Sequence, residues 1–92
     1  MELYREIVKS FPKIEKLFTK EYLLSFAHTH PNYLKEYQWG LGTMIRLKLL
    51  GPQKPLYKKF IEEGFVSRDE MSMKIILEFY KHIRAKYKLL AR

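Results

Sequence analysis

The stretch Leu56–Ser72, LYKKFIEEGFVSRDEMS, ends one helix and begins the next with each stop and start signal in place. Leu56, Tyr57, Phe60 and Ile61 recur at one-, three- and four-residue spacing, which lays them along one side of a helix. Gly64 follows Glu63 and can take the left-handed conformation that closes a helix without a Cβ clash. Ser67-Arg68-Asp69-Glu70 then reads as a capping box, in which the Ser67 hydroxyl accepts from the Glu70 N–H and the Glu70 carboxylate accepts from the Ser67 N–H. Phe65 or Val66, ahead of the cap, is placed to pack on Met71 as a hydrophobic staple. Asp69 and Glu70 also stand at the positive end of the new helix dipole. Two adjacent acids could serve instead as general acid and base or as half of a metal site. No histidine or cysteine lies near them in sequence to complete a metal set, so capping, worth about 1 kcal/mol per cap, is the preferred reading.

Upstream, Gly51-Pro52 and Pro55 mark a rigid turn, and the spacing of Leu34, Tyr37, Leu41, Met44, Ile45 and Leu49 predicts one helix from about Asn32 to Leu49. Gly40-Leu41-Gly42 sits inside it, and each interior glycine costs roughly 1 kcal/mol against alanine. With no preceding strand, no third glycine and no Gly-Lys-Ser/Thr ending, a phosphate loop is not supported. Close helix packing, with Trp39 beside it, or a local bend explains the pair. Ala27 to Asn32 reads as a loop, with Pro31 as the first residue of the following helix. Before it, Leu3, Tyr4, Ile7 and Val8 mark a helical segment over Glu2 to Lys9, and Ser10-Phe11-Pro12 reads as a break. Ile14, Leu17, Phe18, Tyr22, Leu23 and Phe26 then form an apolar stripe, with Thr19 able to cap a separate turn.

Downstream, the longest helix is expected from Arg68 to about Leu90, with Met71, Ile75, Ile76, Phe79, Tyr80, Ile83 and Tyr87 on its apolar side and Lys74 and Glu78 paired on its outer face. No segment alternates as a strand would. The expected fold is all-α: a single domain over residues 1–92, built as a small orthogonal bundle of four to five helices.

Composition sets the remaining bounds. A chain of 92 residues, 47% hydrophobic, is expected to bury about 60–65% of its unfolded surface. It has no cysteine, so disulfides and thiolate metal sites are excluded. Glu2, Arg5, Glu6 and Lys9 interrupt any signal-peptide core, and no apolar run reaches the length of a membrane span. A soluble, cytoplasmic protein without cofactor or metal is expected.

Several pieces, taken in order, resemble a family of small bacterial proteins catalogued only as a domain of unknown function. They are Leu34-Lys35-Glu36-Tyr37, Leu41-Gly42, Ile45-Arg46, Leu56 with Phe60, Gly64, Asp69-Glu70-Met71-Ser72, and Ile75 with Tyr80. The family reads as a Leu-Gly then Ile-Arg-Asn helix, a Leu-x-x-x-Phe-x-x-x-Gly helix and an Asp-Asp-Met-Ser helix start, and the resemblance covers the last two thirds of the chain. Leu47 stands here where the family usually has asparagine, Gln38 and Trp39 stand near its usual histidine, and Arg68 replaces a frequent proline. The resemblance implies a shared helical fold and brings no activity, substrate or cofactor.

Among candidate sites, Arg46 lies on a helix otherwise patterned for the core. A pair with Asp69 or Glu70 would lock the middle helix to the start of the last one, and an anion or partner contact is the alternative. His28-Thr29-His30 has no third ligand at characteristic spacing and reads as solvated loop histidines. Ser10, Ser25, Ser67 and Ser72 have no histidine at a motif spacing, so no enzyme is expected. The strongest functional signal is the net charge of +8. Arg46, Lys48, Lys54, Lys58 and Lys59 occur with no acid between Thr43 and Ile61, and Lys81, Arg84, Lys86, Lys88 and Arg92 follow with none. On one helix Lys74, Lys81, Arg84 and Lys88 would form a basic ridge suited to phosphates, although lysines also gather at helix C-termini for the dipole alone. The expected function is a non-enzymatic protein-interaction or regulatory module for an acidic partner surface. Nucleic-acid binding by the ridge is the alternative.

Overall fold

The computed structural model describes residues 2–89, and among them every regular element is helical. The order is α1 (Glu2–Glu15), α2 (Lys20–His28), a 3-10 helix (Pro31–Trp39), α3 (Leu41–Leu49), α4 (Pro55–Glu62) and α5 (Arg68–Lys86). Helix α5 packs on α1, α2, α3 and the 3-10 helix, while α4 lies against α1. An aromatic cluster ties these layers together. Phe26 of α2 stacks on Phe79 of α5 at 5.8 Å and meets Tyr37 and Tyr80 edge-on at 4.9 and 5.6 Å, and Phe11 of α1 reaches Phe79 at 5.6 Å.

The glycine stop after α4 and the Ser67 cap of α5 form as expected. Gly64 has φ +95°, its N–H bonds to the Ile61 carbonyl at 3.0 Å, and the Phe65 N–H bonds to the Phe60 carbonyl at 3.0 Å. Those two bonds are a Schellman closure, and the Phe60 and Phe65 rings supply its apolar contact at 4.8 Å. The Ser67 hydroxyl accepts from the Asp69 and Glu70 N–H groups at 3.0 and 3.3 Å. Of the two residues expected to staple onto Met71, Val66 points outward, 85% exposed, and Phe65 turns back onto Phe60 of α4.

Other boundaries differ from the sequence reading, and the loop expected from Ala27 to Asn32 is shorter, because α2 runs to His28 and the 3-10 helix begins at Pro31. Helix α1 runs through Pro12 rather than breaking at Ser10. An interior proline costs about 3 kcal/mol, but Phe11 and Ile14 continue the stripe of Leu3 and Ile7 into the core, and burying each contributes roughly 1.5–3 kcal/mol. The predicted helix from Asn32 to Leu49 is split at Gly40 into a 3-10 helix and α3. In the first part Pro31, Leu34 and Tyr37 are the residues turned inward, a period of three rather than 3.6. His30 Nδ1 accepts from the Asn32 N–H at 3.1 Å and starts it, so this loop histidine is a helix cap. Helix α5 ends at Lys86, short of Leu90, through a second Schellman closure. There the Lys88 and Leu89 N–H groups bond to the Ala85 and Arg84 carbonyls at 3.1 and 2.8 Å, and Lys88 occupies the left-handed position at φ 57° without being glycine.

Candidate basic cleft

Arg46 sits at the junction of the 3-10 helix, α3 and α5. Its Nη1 donates to Gln38 Oε1 at 2.9 Å and to Ser72 Oγ at 3.0 Å, and its Nη2 donates to the Gln38 carbonyl at 2.9 Å and Thr43 Oγ1 at 3.2 Å. Ser72 Oγ donates to Gln38 Oε1 at 2.7 Å, and Gln38 Nε2 donates to the Asp69 carbonyl at 2.8 Å. The Asp69 carboxylate stands 3.8 Å from Arg46, at the edge of an ion pair, and Glu70 makes no ion pair with it. The lock expected between Arg46 and an acid is therefore mainly a hydrogen-bonded clasp through Gln38 and Ser72. Gly42 makes room for it: a Cβ there would lie 2.5 Å from Gln38 Oε1 and 3.0 Å from Arg46 Nη1. Trp39, expected beside the glycine packing, is instead 85% exposed.

The basic ridge expected along α5 does not form. Arg84 is only 8% exposed; its guanidinium donates to the Ala27 carbonyl at the end of α2 and lies over the Tyr80 ring, which in turn donates to the Thr29 carbonyl at 2.6 Å. Position 84 shares its helical face with the buried Tyr80, one turn earlier, and so turns inward. Lys74 and Lys81 both pair with Glu78, at 3.2 and 3.6 Å. Lys88 lies beyond the helix in the closing turn. Arg92 lies outside the described residues.

Lys86 pairs with Glu15 of α1, whose other oxygen is 3.0 Å from His82 Nε2. Burial pushes the Glu15 carboxyl up, but the hydrogen bonds and charges of Lys86 and His82 outweigh it and hold the group below its ordinary value. The bond to Glu15 in turn raises the Lys86 ammonium. This cross-link was not visible in sequence, where Glu15 and His82 lie 67 positions apart.

Three cations without a carboxylate partner among the described residues meet elsewhere. A cleft of about 360 Å³ between α1, the end of α3 and the start of α4 is lined by Lys9, Lys13, Lys48 and Lys54, with Leu49 and Leu56 among its apolar surfaces. Lys9 and Lys13 stand one turn apart on α1, and Lys48 is in the last turn of α3, where the dipole favours it. Lys54 is the residue before α4, which starts with Pro55 and has no side-chain cap. A cation there faces the positive end of the helix dipole, so both would be relieved by an anion. Lys9 pairs with Glu6 at 3.3 Å, whereas Lys13, Lys48 and Lys54 have no carboxylate partner among the described residues. Of the cations expected to bind a partner, Lys48 and Lys54 thus come together here; Lys58 is exposed on α4 outside the lining. Lys9 and Lys13 were missed because their neighbours Glu6 and Glu15 dilute the charge along the chain, although the i,i+4 spacing was readable.

Among the described residues no group of histidines and acids could hold a metal ion, and no helix is long and apolar enough to cross a membrane. The family described as a domain of unknown function, DUF6794, matches residues 5–83, and the chain belongs to it. No curated protein and no solved structure matches the chain.

Proposed function

We propose that this member of the family is a non-enzymatic binding module that takes an acidic protein segment in the cleft between α1 and α4. The observation that carries the reading is the convergence of four lysines on one concavity, three of them without a carboxylate partner among the described residues. Unpaired cations around a low-dielectric wall focus a positive potential and raise both the on-rate and the selectivity for acidic partners. The cleft also offers Leu17, Leu49 and Leu56 and no aromatic ring. Apolar surfaces inside a lysine rim suit a peptide segment mixing acidic and apolar side chains. Single-stranded nucleic acid would be served by stacking platforms, which this lining lacks.

The surroundings of His82 also favour binding over catalysis. His82 has Glu15 on one ring nitrogen and stacks on Phe11 at 4.5 Å, and among the described residues no hydroxyl is hydrogen-bonded to it as a nucleophile. The test is to titrate the full chain with poly-L-glutamate and with generic duplex and single-stranded DNA and RNA at about 50 and 200 mM salt. Saturable poly-L-glutamate binding that weakens with salt and falls by on the order of 100-fold in Lys48→Glu/Lys54→Glu is the expected result. Absence of poly-L-glutamate binding at the lower salt would overturn the proposal, and binding of nucleic acid alone would transfer the cleft to that ligand.

A further inference from the structure

A second concavity, distinct from the lysine cleft, runs between the start of the 3-10 helix and the C-terminal half of α5. It measures about 450 Å³, within the range of small-molecule sites, and is lined by Pro31, Leu34, Leu77, Tyr80 and Leu89 together with Arg84 and Lys81. Arg84 is the anomaly. A guanidinium buried to this degree ordinarily has a carboxylate, yet among the described residues its partners are the Ala27 carbonyl and the Tyr80 ring. The carbonyl end of α2 supplies at most about half a negative charge, which accounts for where Arg84 is anchored but not for its full charge. Lys81, at the same groove, pairs with Glu78 at 3.6 Å, and among the described residues no carboxylate lines the groove beside Arg84.

The closing turn adds a further sign. Lys88 holds a left-handed conformation that strains a non-glycine residue, and it does so while carrying Leu89 back against the core and onto the groove wall. An apolar trough holding a buried guanidinium with no carboxylate partner among the described residues matches a ligand of corresponding form. We infer that this groove binds a small amphipathic carboxylate, its alkyl chain along Leu34, Leu77 and Leu89 and its carboxylate on Arg84.

The planar fork of the guanidinium suits a carboxylate, and a neutral headgroup of the same chain length would leave the charge unanswered. The inference does not depend on the lysine cleft or its partner.

The experiment uses the full chain and three probes: decanoate, decanol and acetate, kept below the concentration at which decanoate forms micelles. Binding is followed by calorimetry and by backbone amide shifts in NMR spectra. Decanoate is expected to bind at least about ten-fold more tightly than decanol or acetate, with the largest shifts at Leu34, Leu77 and Ala85. Ala85→Phe, an exposed helical position on the groove wall, should abolish decanoate binding without lowering the melting temperature. Arg84→Gln should level decanoate with decanol. Because Arg84 also anchors α2 and that variant could lose its fold, the comparison of the three probes on the unaltered chain is decisive. Equal affinity for decanoate and decanol, no decanoate binding, unchanged binding in Ala85→Phe, or shifts confined to Lys9, Lys13, Lys48 and Lys54 would each overturn the inference.

Discussion

The lysine cleft and helix α5 draw on the same kind of sequence, runs rich in lysine and arginine, and end with opposite electrostatics. On α5, Glu78 takes Lys74 and Lys81, Glu15 reaches across from α1 to take Lys86, and Arg84 turns inward. In the cleft only Lys9 has a carboxylate, and three lysines from three different elements face one space without another. Linear charge density is thus a poor guide to surface potential. What counts is where the fold delivers the acids, and here it delivers them to α5.

That contrast can be broken most forcefully by charge reversal. Lys48→Glu/Lys54→Glu should weaken poly-L-glutamate binding by on the order of 100-fold at about 50 mM salt, while Lys81→Glu/Lys88→Glu should cost no more than roughly three-fold. Comparable losses from both pairs would erase the distinction.

The compensation on α5 has its own pH signature. Since the folded Glu15 carboxyl lies below its ordinary value of 4.5, its stabilising contribution is present in full above that pH and disappears as pH falls through the lowered value. Urea denaturation of Glu15→Gln should show a lower midpoint than the unaltered chain at pH 7, with the two midpoints drawing together as pH falls below 4.5. Parallel curves across that range would contradict the cross-link.

A gentler change runs the other way. Removing the shared acid with Glu78→Gln should release Lys74 and Lys81 and raise poly-L-glutamate affinity by about three-fold, with new amide shifts along α5. Smallest of all is Lys88→Gly, which places glycine at a left-handed position. Thermal unfolding should show a gain of about 0.5–1 kcal/mol, and the acidic polymer should bind as before.

Much of the helical frame was legible because local signals agreed with the fold. Gly64, Ser67, Thr19 and Pro31 act where their backbone chemistry suits them: Thr19 Oγ1 accepts from the Tyr22 N–H at 3.1 Å, and Pro31 opens the 3-10 helix. The errors arose where tertiary packing overrode the local rule. Pro12 stays inside α1 because its neighbours are core residues, and Lys88 occupies a position that glycine would have advertised. Gly40 and Gly42 were readable as a pair needing a reason, but the reason, a bend and a clasp, depends on Gln38 and Ser72 from separate elements.

The same limit applies to the sites. Arg68 holds the Leu50 carbonyl at 2.8 Å and lies over the Tyr57 ring at 4.8 Å, joining α5 to the end of α3 and to α4, yet nothing about an arginine in an N-terminal first turn forecasts that. Lys48 and Lys54 were identifiable from a stretch without acids. Their meeting with Lys9 and Lys13 needed the packing of α4 on α1, which periodicity cannot specify.

The most direct test of where the acidic partner docks is an NMR titration of the full chain with poly-L-glutamate at low salt. The amides of Lys9, Lys13, Lys48 and Lys54 should move first and farthest, with residues 74–88 nearly still. Shifts led by residues 74–88, with the cleft lysines unmoved, would contradict the account.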